Sequence, residues 1–254
     1  MRDFTLSLYR QLIQNIISRN YTFQTFEQFI QSPADRVVIM RHDVDTWPSN
    51  ALQIAKLESI YGVQATYYFR SLPISFDERI IKKIVALGHE LGYHYEDLSS
   101  AKGDYERAFQ AFRYNLDKFR NYYPVKTITM HGKPLSKWNN RDLWKRYNYR
   151  DLGILCEPYF DIDYKTVLYL TDTGGCWDGY NFNVRDTVNT GFNLQIHTTF
   201  DLIDTIENNK LPDRVIINTH PGRWNDNYIK WFYKKYVLTL PKRKIKSLIK
   251  KARS

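Results

Sequence analysis

The feature that most constrains the fold is the alternation of short apolar segments with longer amphipathic segments along the chain. Residues 37–40 form an apolar, largely β-branched run that is too short for an amphipathic helix and predicts a buried strand. Between such runs, apolar residues recur with the period of a helix, as over residues 48–61 and 105–120. This order predicts an α/β protein with a parallel sheet of about seven strands, closed or nearly closed into a barrel.

The remaining segments extend this pattern over the whole chain. Helices are predicted at residues 6–17, 25–30, 48–61, 77–87, 105–120 and near 200–208. Strands are predicted at 37–40, 64–70, 89–94, 127–130, 151–156, 167–170, 194–198 and 214–218. Because no repeat or linker divides the sequence, we expect one domain over residues 1–254, with N-terminal helices (about 1–33) and a basic C-terminal tail (about 229–254).

The basic charge is concentrated at the C-terminal end. No acidic residue follows Asp226, and residues 229–254 hold ten of the 37 Lys and Arg; the 27 that remain equal the 27 Asp and Glu. A nucleic-acid-binding domain normally spreads its basic residues over a face of the fold, so we expect no nucleic-acid partner. The tail places Lys and Arg beside Trp, Phe, Leu and Ile, which suits peripheral contact with an anionic membrane; a solvated terminal helix is the alternative.

The sequence also bears on the compartment. No apolar run approaches the roughly 18–20 residues that cross a bilayer, and the N-terminus lacks the apolar core of a secretory signal. The two cysteines, Cys156 and Cys176, form neither a metal motif nor a disulfide framework. We therefore predict a cytoplasmic protein, with the inner face of the membrane as the place of any peripheral contact.

Four predicted strands end at acidic residues or histidines. Asp43 and Asp45 close one strand, and His94, His131 and His220 close three others. The carboxyl ends of parallel barrel strands open on one face, so we expect these side chains to meet. Carboxylates and imidazoles suit a divalent ion such as zinc, which lowers the pKa of its water and polarises a carbonyl oxygen. The predicted chemistry is therefore hydrolysis of an amide or ester.

Each of these residues also has a purely structural interpretation. Asp43 and Asp45 are compatible with a strand-end turn that caps the next helix. His94 is compatible with a hydrogen-bonded core histidine, and His220 with the end of a strand before Pro221. Both interpretations stay open at the level of sequence.

The motifs resemble those of the polysaccharide deacetylases, carbohydrate esterase family 4. Residues 41–45 (Arg-His-Asp-Val-Asp) look like the family's first motif, a strand that ends in two aspartates. Residues 88–94 (Gly-His-Glu-Leu-Gly-Tyr-His) closely match the second motif, Gly-His-Glu-Ile-Gly-x-His. Residues 216–220 (Ile-Ile-Asn-Thr-His) resemble the late strand that ends in a catalytic histidine. The similarity extends from Val37 to Trp224.

The resemblance implies a distorted (β/α) barrel and metal-dependent removal of an acetyl or related acyl group from an amino sugar in a glycan or its precursor. It implies that Asp43 is the general base and that Asp45 and His94 bind the metal. It further implies that His220 is the general acid toward the leaving amine. The partner is then a carbohydrate and the cofactor a divalent metal, with zinc favoured.

The family's usual third metal ligand lies four residues after the histidine of the second motif, where this chain has Leu98. His131, at a neighbouring strand end, is the favoured replacement; Asp97 and Glu96 are the alternatives. If none of them binds, the metal is lost and the chain is a non-catalytic carbohydrate-binding relative.

The family's third motif normally offers an arginine with prolines, whereas residues 130–134 keep only the proline. Arg41 or Arg70 is then expected to orient Asp43 through a charge-assisted hydrogen bond. Four residues near the same face are predicted to contact substrate, namely Arg41, Asp172, Trp177 and Trp224. As substrate contacts the two tryptophans would stack on a sugar ring, although core or rim packing is the more common role of a single tryptophan.

Overall fold

The fold is built on a parallel sheet of seven strands. The structure is a computed structural model, and it describes residues 2–178, 183 and 185–253. The strands are β1 (Thr22–Phe23), β2 (Val37–Val44), β3 (Thr66–Phe69), β4 (Glu90–Tyr95), β5 (Ile128–Met130), β6 (Leu168–Thr171) and β7 (Arg214–Thr219). They lie in the order β5-β4-β3-β2-β7-β6, with β1 paired beside β2.

The sheet curls into a half-barrel surrounded by helices, which confirms the predicted fold class. The barrel is open, since among the described residues no strand joins β5 to β6. Only single bridges extend the two edges, Thr127 with Cys156 and Thr171 with Asp178. The opening leaves room for loops and the C-terminal helices at the barrel mouth.

Helices cover the outside of the sheet. They are α1 (Leu6–Ser18), α2 (Phe26–Gln31), α3 (Pro48–Ile60), α4 (Glu78–Ala86), α5 (Asp97–Ser100), α6 (Tyr105–Arg120), α7 (Pro158–Asp161), α8 (Thr199–Glu207), α9 (Tyr228–Phe232) and α10 (Leu240–Arg253). A π-helical stretch, Tyr233–Thr239, joins α9 to α10. No described helix is both long enough and apolar enough to span a bilayer.

Strand β2 is the centre of the sheet and shows how the sequence divides the two faces. Its side chains alternate, so Val38 and Met40 pack into the main core while Val37 and Ile39 pack into a second cluster on the other face. Asp43 lies on the same face of β2 as Val37 and Ile39, because alternate residues of a strand share a face. His42 has the opposite parity and points toward the helices.

His42 and His89 have structural roles behind the sheet. The buried Glu58 of α3 lies 2.8 Å from His42 Nε2 and accepts a hydrogen bond from the Tyr67 hydroxyl at 2.6 Å. His89 Nε2 contacts the carbonyl oxygen of Ala55 at 3.0 Å. Because a buried carboxylate without partners would be strongly destabilising, this cluster fixes α3 against the sheet.

Two predicted strands are wrong. Residues 149–152 form a 3₁₀ turn that ends at Gly153 with φ 71°, so only Cys156 of the predicted strand 151–156 pairs, through a single bridge. Residues 194–198 form no strand, although Trp177 N–H donates to the His197 carbonyl. The apolar pattern is present in both segments, but Gly153 turns the chain, so only Leu155 and Cys156 form backbone hydrogen bonds beside β5, with residues 126 and 128. Residues 194–198 form no ladder with any strand that the structure describes.

Candidate active site and metal centre

The polar strand ends meet in one cleft of about 440 Å³ at the mouth of the half-barrel. Asp43 lies in β2 and Asp45 just after it, while His94 lies near the end of β4. His131 and His220 are the first residues after β5 and β7. All five side chains line the cleft, because parallel strands in register deliver their carboxyl ends to the same edge. The cleft is in the size range of small-ligand sites.

Asp45, His94 and His131 converge at the floor of this cleft. Asp45 Oδ1 lies 3.5 Å from His94 Nε2 and 3.6 Å from His131 Nε2. The three ligand atoms all lie within 4.8 Å of one another. These are the three residues that the sequence analysis favoured as metal ligands.

The hydrogen bonds behind the histidines prepare them to bind a cation. His94 Nδ1 faces the carbonyl oxygen of Thr129 at 3.1 Å, and since a carbonyl can only accept, Nδ1 carries the hydrogen. His131 Nδ1 lies 3.0 Å from Glu96 Oε2, which likewise accepts. Each neutral imidazole therefore presents its Nε2 lone pair to the cleft, which is the arrangement found behind metal-binding histidines.

Asp45 Oδ1 is the third candidate ligand atom, beside the Nε2 atoms of His94 and His131. Asp45 Oδ1 is buried and has no hydrogen-bond partner among the described residues. Burial alone would raise the pKa of Asp45, but the surrounding histidines hold it well below its usual value. Burial lowers the pKa of His131, which favours the neutral form that binds metals. An orphaned carboxylate oxygen and two imidazole lone pairs fit a divalent cation.

The alternatives for the third ligand have other roles. Glu96 holds His131 from behind and is itself held by Arg70, whose Nη2 donates to Oε1 at 2.6 Å. Asp97 accepts from the Tyr93 hydroxyl at 2.8 Å and from Asn115 at 2.9 Å, and burial raises its pKa to about 6. Neither carboxylate belongs to the convergent group.

Asp43 is held as a buried carboxylate beside the group formed by Asp45, His94 and His131, which we call the metal centre. Arg41 donates to both of its oxygens at 2.8 Å, and Asn218 Nδ2 donates to Oδ2 at 3.0 Å. Although burial alone would raise it, the pKa of Asp43 is lowered to about 2, chiefly by Arg41. Asp43 Oδ2 lies 3.8 Å from His94 Nε2, so this carboxylate borders the centre without joining it.

The predicted substrate contact of Arg41 is wrong, since its side chain is fully buried and does not line the cleft. Of the two arginines considered for orienting Asp43, the structure places Arg41 there. Arg70 instead pairs with Glu96 and donates to the carbonyl oxygen of Asp45 at 3.3 Å. A bidentate arginine fixes the direction of a carboxylate as well as its charge.

His220 lies on the other side of the centre and is held by Asp172. Its Nδ1 lies 2.6 Å from Asp172 Oδ1, and its Nε2 faces the cleft, 3.9 Å from Asp45 Oδ2. Burial would lower the pKa of His220, but the Asp172 carboxylate outweighs burial and the pKa is raised. His220 therefore keeps its proton to a higher pH than an ordinary histidine does.

The predicted substrate contact of Asp172 is also wrong. Asp172 is fully buried and accepts hydrogen bonds from His220 N–H, at 3.0 Å to Oδ2, and from Trp224 Nε1 at 2.9 Å. Arg223 Nε lies 3.4 Å from it. These partners occupy its oxygens, so it acts on the cleft only through His220.

The two tryptophans predicted to stack on sugar are core residues, so the packing alternative holds. Trp224 is fully buried and Trp177 is 4% exposed, and neither lines the cleft. They pack with Phe4, whose ring centroid lies 5.2 Å from that of Trp224. Trp177 Nε1 donates to Thr199 Oγ1 at 3.0 Å. A ring without an exposed face cannot stack on a ligand.

The cleft walls include residues that sequence reasoning missed. They are Met130, Gly132, Pro134, Leu135, Tyr159, Thr173, Asn183, Arg185, Asp186, Arg223, Lys242 and Ile245. Most lie in irregular loops or in the C-terminal helix α10, where no strand pattern pointed to the cleft. Asn218 and Glu96 also hold site residues, and their sequence positions pointed to them. Asn218 lies inside the motif at 216–220, and Glu96 lies just after the motif at 88–94.

A second group also places possible ligand atoms within 4.8 Å, namely Cys176, Asp178 and His197. His197 Nδ1 lies 2.8 Å from both oxygens of Asp178, and Arg243 Nη2 donates to Cys176 Sγ at 2.7 Å. The contact of His197 with Asp178 and that of Arg243 with Cys176 account for the closeness of these side chains without a bound metal ion.

Comparisons with known proteins find structural likeness only. No protein-family model and no curated protein matches the chain. A Streptococcus mutans CE4 esterase shares 14% sequence identity at a TM-score of 0.45, over 90% of this chain and 86% of that one. A mutant of the peptidoglycan deacetylase PdaC from Bacillus subtilis shares 11% identity at a TM-score of 0.43, over 87% of this chain and 95% of that one.

A further solved structure is a BA3943 mutant, a CE4 family pseudoenzyme with restored enzymatic activity. It shares 13% identity at a TM-score of 0.44, over 84% of this chain; the chain spans 64% of that protein's length. These structures are polysaccharide deacetylase family members, the family that the motifs of β2, β4 and β7 resemble. What each of them acts on is a property of that protein, so function is inferred here from the geometry of the cleft.

Proposed function

We propose that the protein is a divalent-metal-dependent hydrolase that removes an N-acetyl or related acyl group from an amino sugar in a glycan or its precursor. The observation that carries the proposal is the convergence of Asp45 Oδ1 with the Nε2 atoms of His94 and His131 at the floor of an open cleft. Asp43 and His220 flank this centre, each with a buried partner that fixes its charge. We propose zinc as the cation, because one carboxylate and two imidazoles suit it.

A cation held there would lower the pKa of water and polarise the acyl carbonyl. Hydrolysis adds water across the C–N bond, so the acyl carbon gains an oxygen and the sugar nitrogen leaves as an amine. Asp43 is the proposed base, since its carboxylate is kept ionised by Arg41 and borders the centre. His220 is the proposed acid, which gives its Nε2 proton to the leaving nitrogen while Asp172 stabilises the imidazolium.

The test measures acetate release from N-acetylated amino sugars and their oligomers, with zinc, cobalt or nickel added. We expect a chelator to abolish turnover and metal to restore it. Asp43→Asn and His220→Gln should each lower kcat by about 10²–10⁴-fold. His197→Gln, an exposed histidine outside the cleft, is the matched control.

A different outcome would replace the hydrolase proposal. If elemental analysis found no metal and sugar binding did not respond to chelator, the non-catalytic carbohydrate-binding alternative would replace this proposal. The cytoplasmic location stays a prediction from the sequence.

A further inference from the structure

The C-terminal helical segment, residues 228–253, combines charge and apolar exposure in a way that the proposed chemistry does not use. No acidic residue lies after Asp226, and ten basic residues do. Large apolar side chains are nevertheless exposed along it: Ile229, Phe232, Tyr233, Tyr236, Val237, Ile245 and Leu248. Contiguous apolar exposure on a protein surface marks an interaction site rather than a solvated helix.

The segment is packed against the body along one side only. Trp231 is buried and its Nε1 donates to the carbonyl oxygen of Asp3 at 2.6 Å. Thr239 is buried, and Arg243 contacts Cys176. With these three side chains turned inward, most of the apolar residues and the exposed lysines Lys230 and Lys244 are left facing outward, whereas the Lys235 ammonium lies 4.9 Å from the centre of the Trp231 ring.

The outward surface adjoins the catalytic cleft. Lys242 and Ile245 of α10 are exposed residues that also line the wall of the cleft that holds Asp45, His94 and His131. Whatever binds the segment is therefore brought to the cleft mouth.

An anionic lipid bilayer is the partner that this chemistry fits. Lysines attract the anionic headgroups, while aromatic and aliphatic side chains enter the boundary with the acyl chains. A nucleic acid would use the lysines, but its phosphate backbone offers nothing to Ile229, Val237 or Leu248. We propose that residues 228–253 dock on an anionic membrane surface and hold the cleft mouth against it.

This docking also specifies the substrate. If the proposed hydrolase activity holds, the acylated amino sugar is one that is carried at the membrane surface, such as a sugar linked to a lipid. This choice of substrate rests on the proposed function, whereas the docking itself does not.

The experiment uses the full-length chain and co-sedimentation with lipid vesicles. We expect binding to phosphatidylcholine vesicles that contain about one third phosphatidylglycerol, weakening with salt, and little binding to pure phosphatidylcholine. Each lysine neutralised should lower the binding constant about five-fold, so Lys230→Gln/Lys244→Gln should lower it about 25-fold. Val237→Ser/Leu248→Ser should weaken binding at any salt concentration.

Two controls keep the outcomes separate. Lys56→Gln/Lys210→Gln removes two exposed lysines from the body and should bind as the parent does. Asp45→Asn should still bind vesicles although it lacks a proposed metal ligand. Turnover of a water-soluble amino sugar should be unchanged in the tail lysine variant.

Equal binding to neutral and anionic vesicles, or an equal loss in the body control, would overturn the docking. So would a tail variant that loses binding to a homopolymeric RNA while keeping vesicle binding. Intact turnover without vesicle binding defeats the docking alone, and vesicle binding without turnover on any substrate defeats the hydrolase alone.

Discussion

The substitution Glu96→Gln isolates the carboxylate that stands behind His131. Glu96 Oε2 accepts from His131 Nδ1 at 3.0 Å, and Oε1 accepts from Arg70 at 2.6 Å. Although burial alone would raise it, these hydrogen bonds lower the pKa of Glu96 to about 2, so the group is a carboxylate throughout the assay range. Glutamine keeps an acceptor oxygen and the side-chain length but removes the charge.

The expected effect is on metal affinity. The carboxylate makes the imidazole of His131 more basic and fixes which nitrogen faces the cleft. Losing such a partner typically weakens metal binding about 10–100-fold, or roughly 1.4–2.7 kcal/mol. His131→Ala removes the ligand itself and should weaken binding further. The free energy of unfolding of the metal-free protein should change much less than the metal affinity.

The assay titrates metal-free protein with zinc in competition with a chromophoric chelator, which needs no substrate. Asp97→Asn is the matched control, because Asp97 is the adjacent carboxylate, is similarly buried, and contacts Tyr93 and Asn115 instead of the metal centre. Its zinc affinity should equal that of the parent. Equal losses in both variants would mean that the total negative charge near the site, and not the contact of Glu96 with His131, sets the zinc affinity. Unchanged affinity in His131→Ala would refute the ligand assignment outright.

Three further predictions follow from the buried partners in the site. Asp172→Asn removes the carboxylate that raises the pKa of His220; because the acid must be protonated, the alkaline limb of the kcat–pH profile should move to lower pH and kcat should fall. Arg41→Gln leaves Asp43 buried and unpaired, so urea denaturation at pH 7 should show a loss of about 3–5 kcal/mol. The folded pKa of Asp43 is lowered to about 2, so the pair stabilises the protein fully above about pH 4 and this loss should shrink as the pH falls toward 2. Trp224→Phe removes a donor to Asp172 and should cost about 1–3 kcal/mol of stability while sugar affinity stays unchanged, contrary to a stacking role.

The order of elements and the meeting of Asp45, His94 and His131 were predictable because both depend on local pattern and one topological rule. A short β-branched run favours a strand, and parallel strands carry their carboxyl ends to one edge. The failed strands at 151–156 and 194–198 had apolar patterns too. The first is interrupted by the turn at Gly153, and the second has no described strand with which to pair, which is a property of the assembled sheet and not of the segment.

The position of the C-terminal segment was not predictable in this way. Its charge is evident from the sequence, but its packing depends on contacts such as Trp231 with Asp3 and Arg243 with Cys176. These join residues that are far apart in the chain, and no local periodicity encodes them.

The errors in the substrate residues share one physical cause. Polar side chains near strand ends were all predicted to contact substrate or metal at the mouth, whereas the structure divides them between residues that line the cleft and fully buried residues that hold them. Arg41 carried a usable signal, because it lies two residues before Asp43 and alternate residues of a strand share a face, where a cation beside a carboxylate forms a pair. Asp172 carried none, since its partner His220 is 48 residues away and only the pairing of β6 with β7 brings them together. Sequence therefore identifies the residues that act in a site of this kind more readily than the buried partners that set their charge.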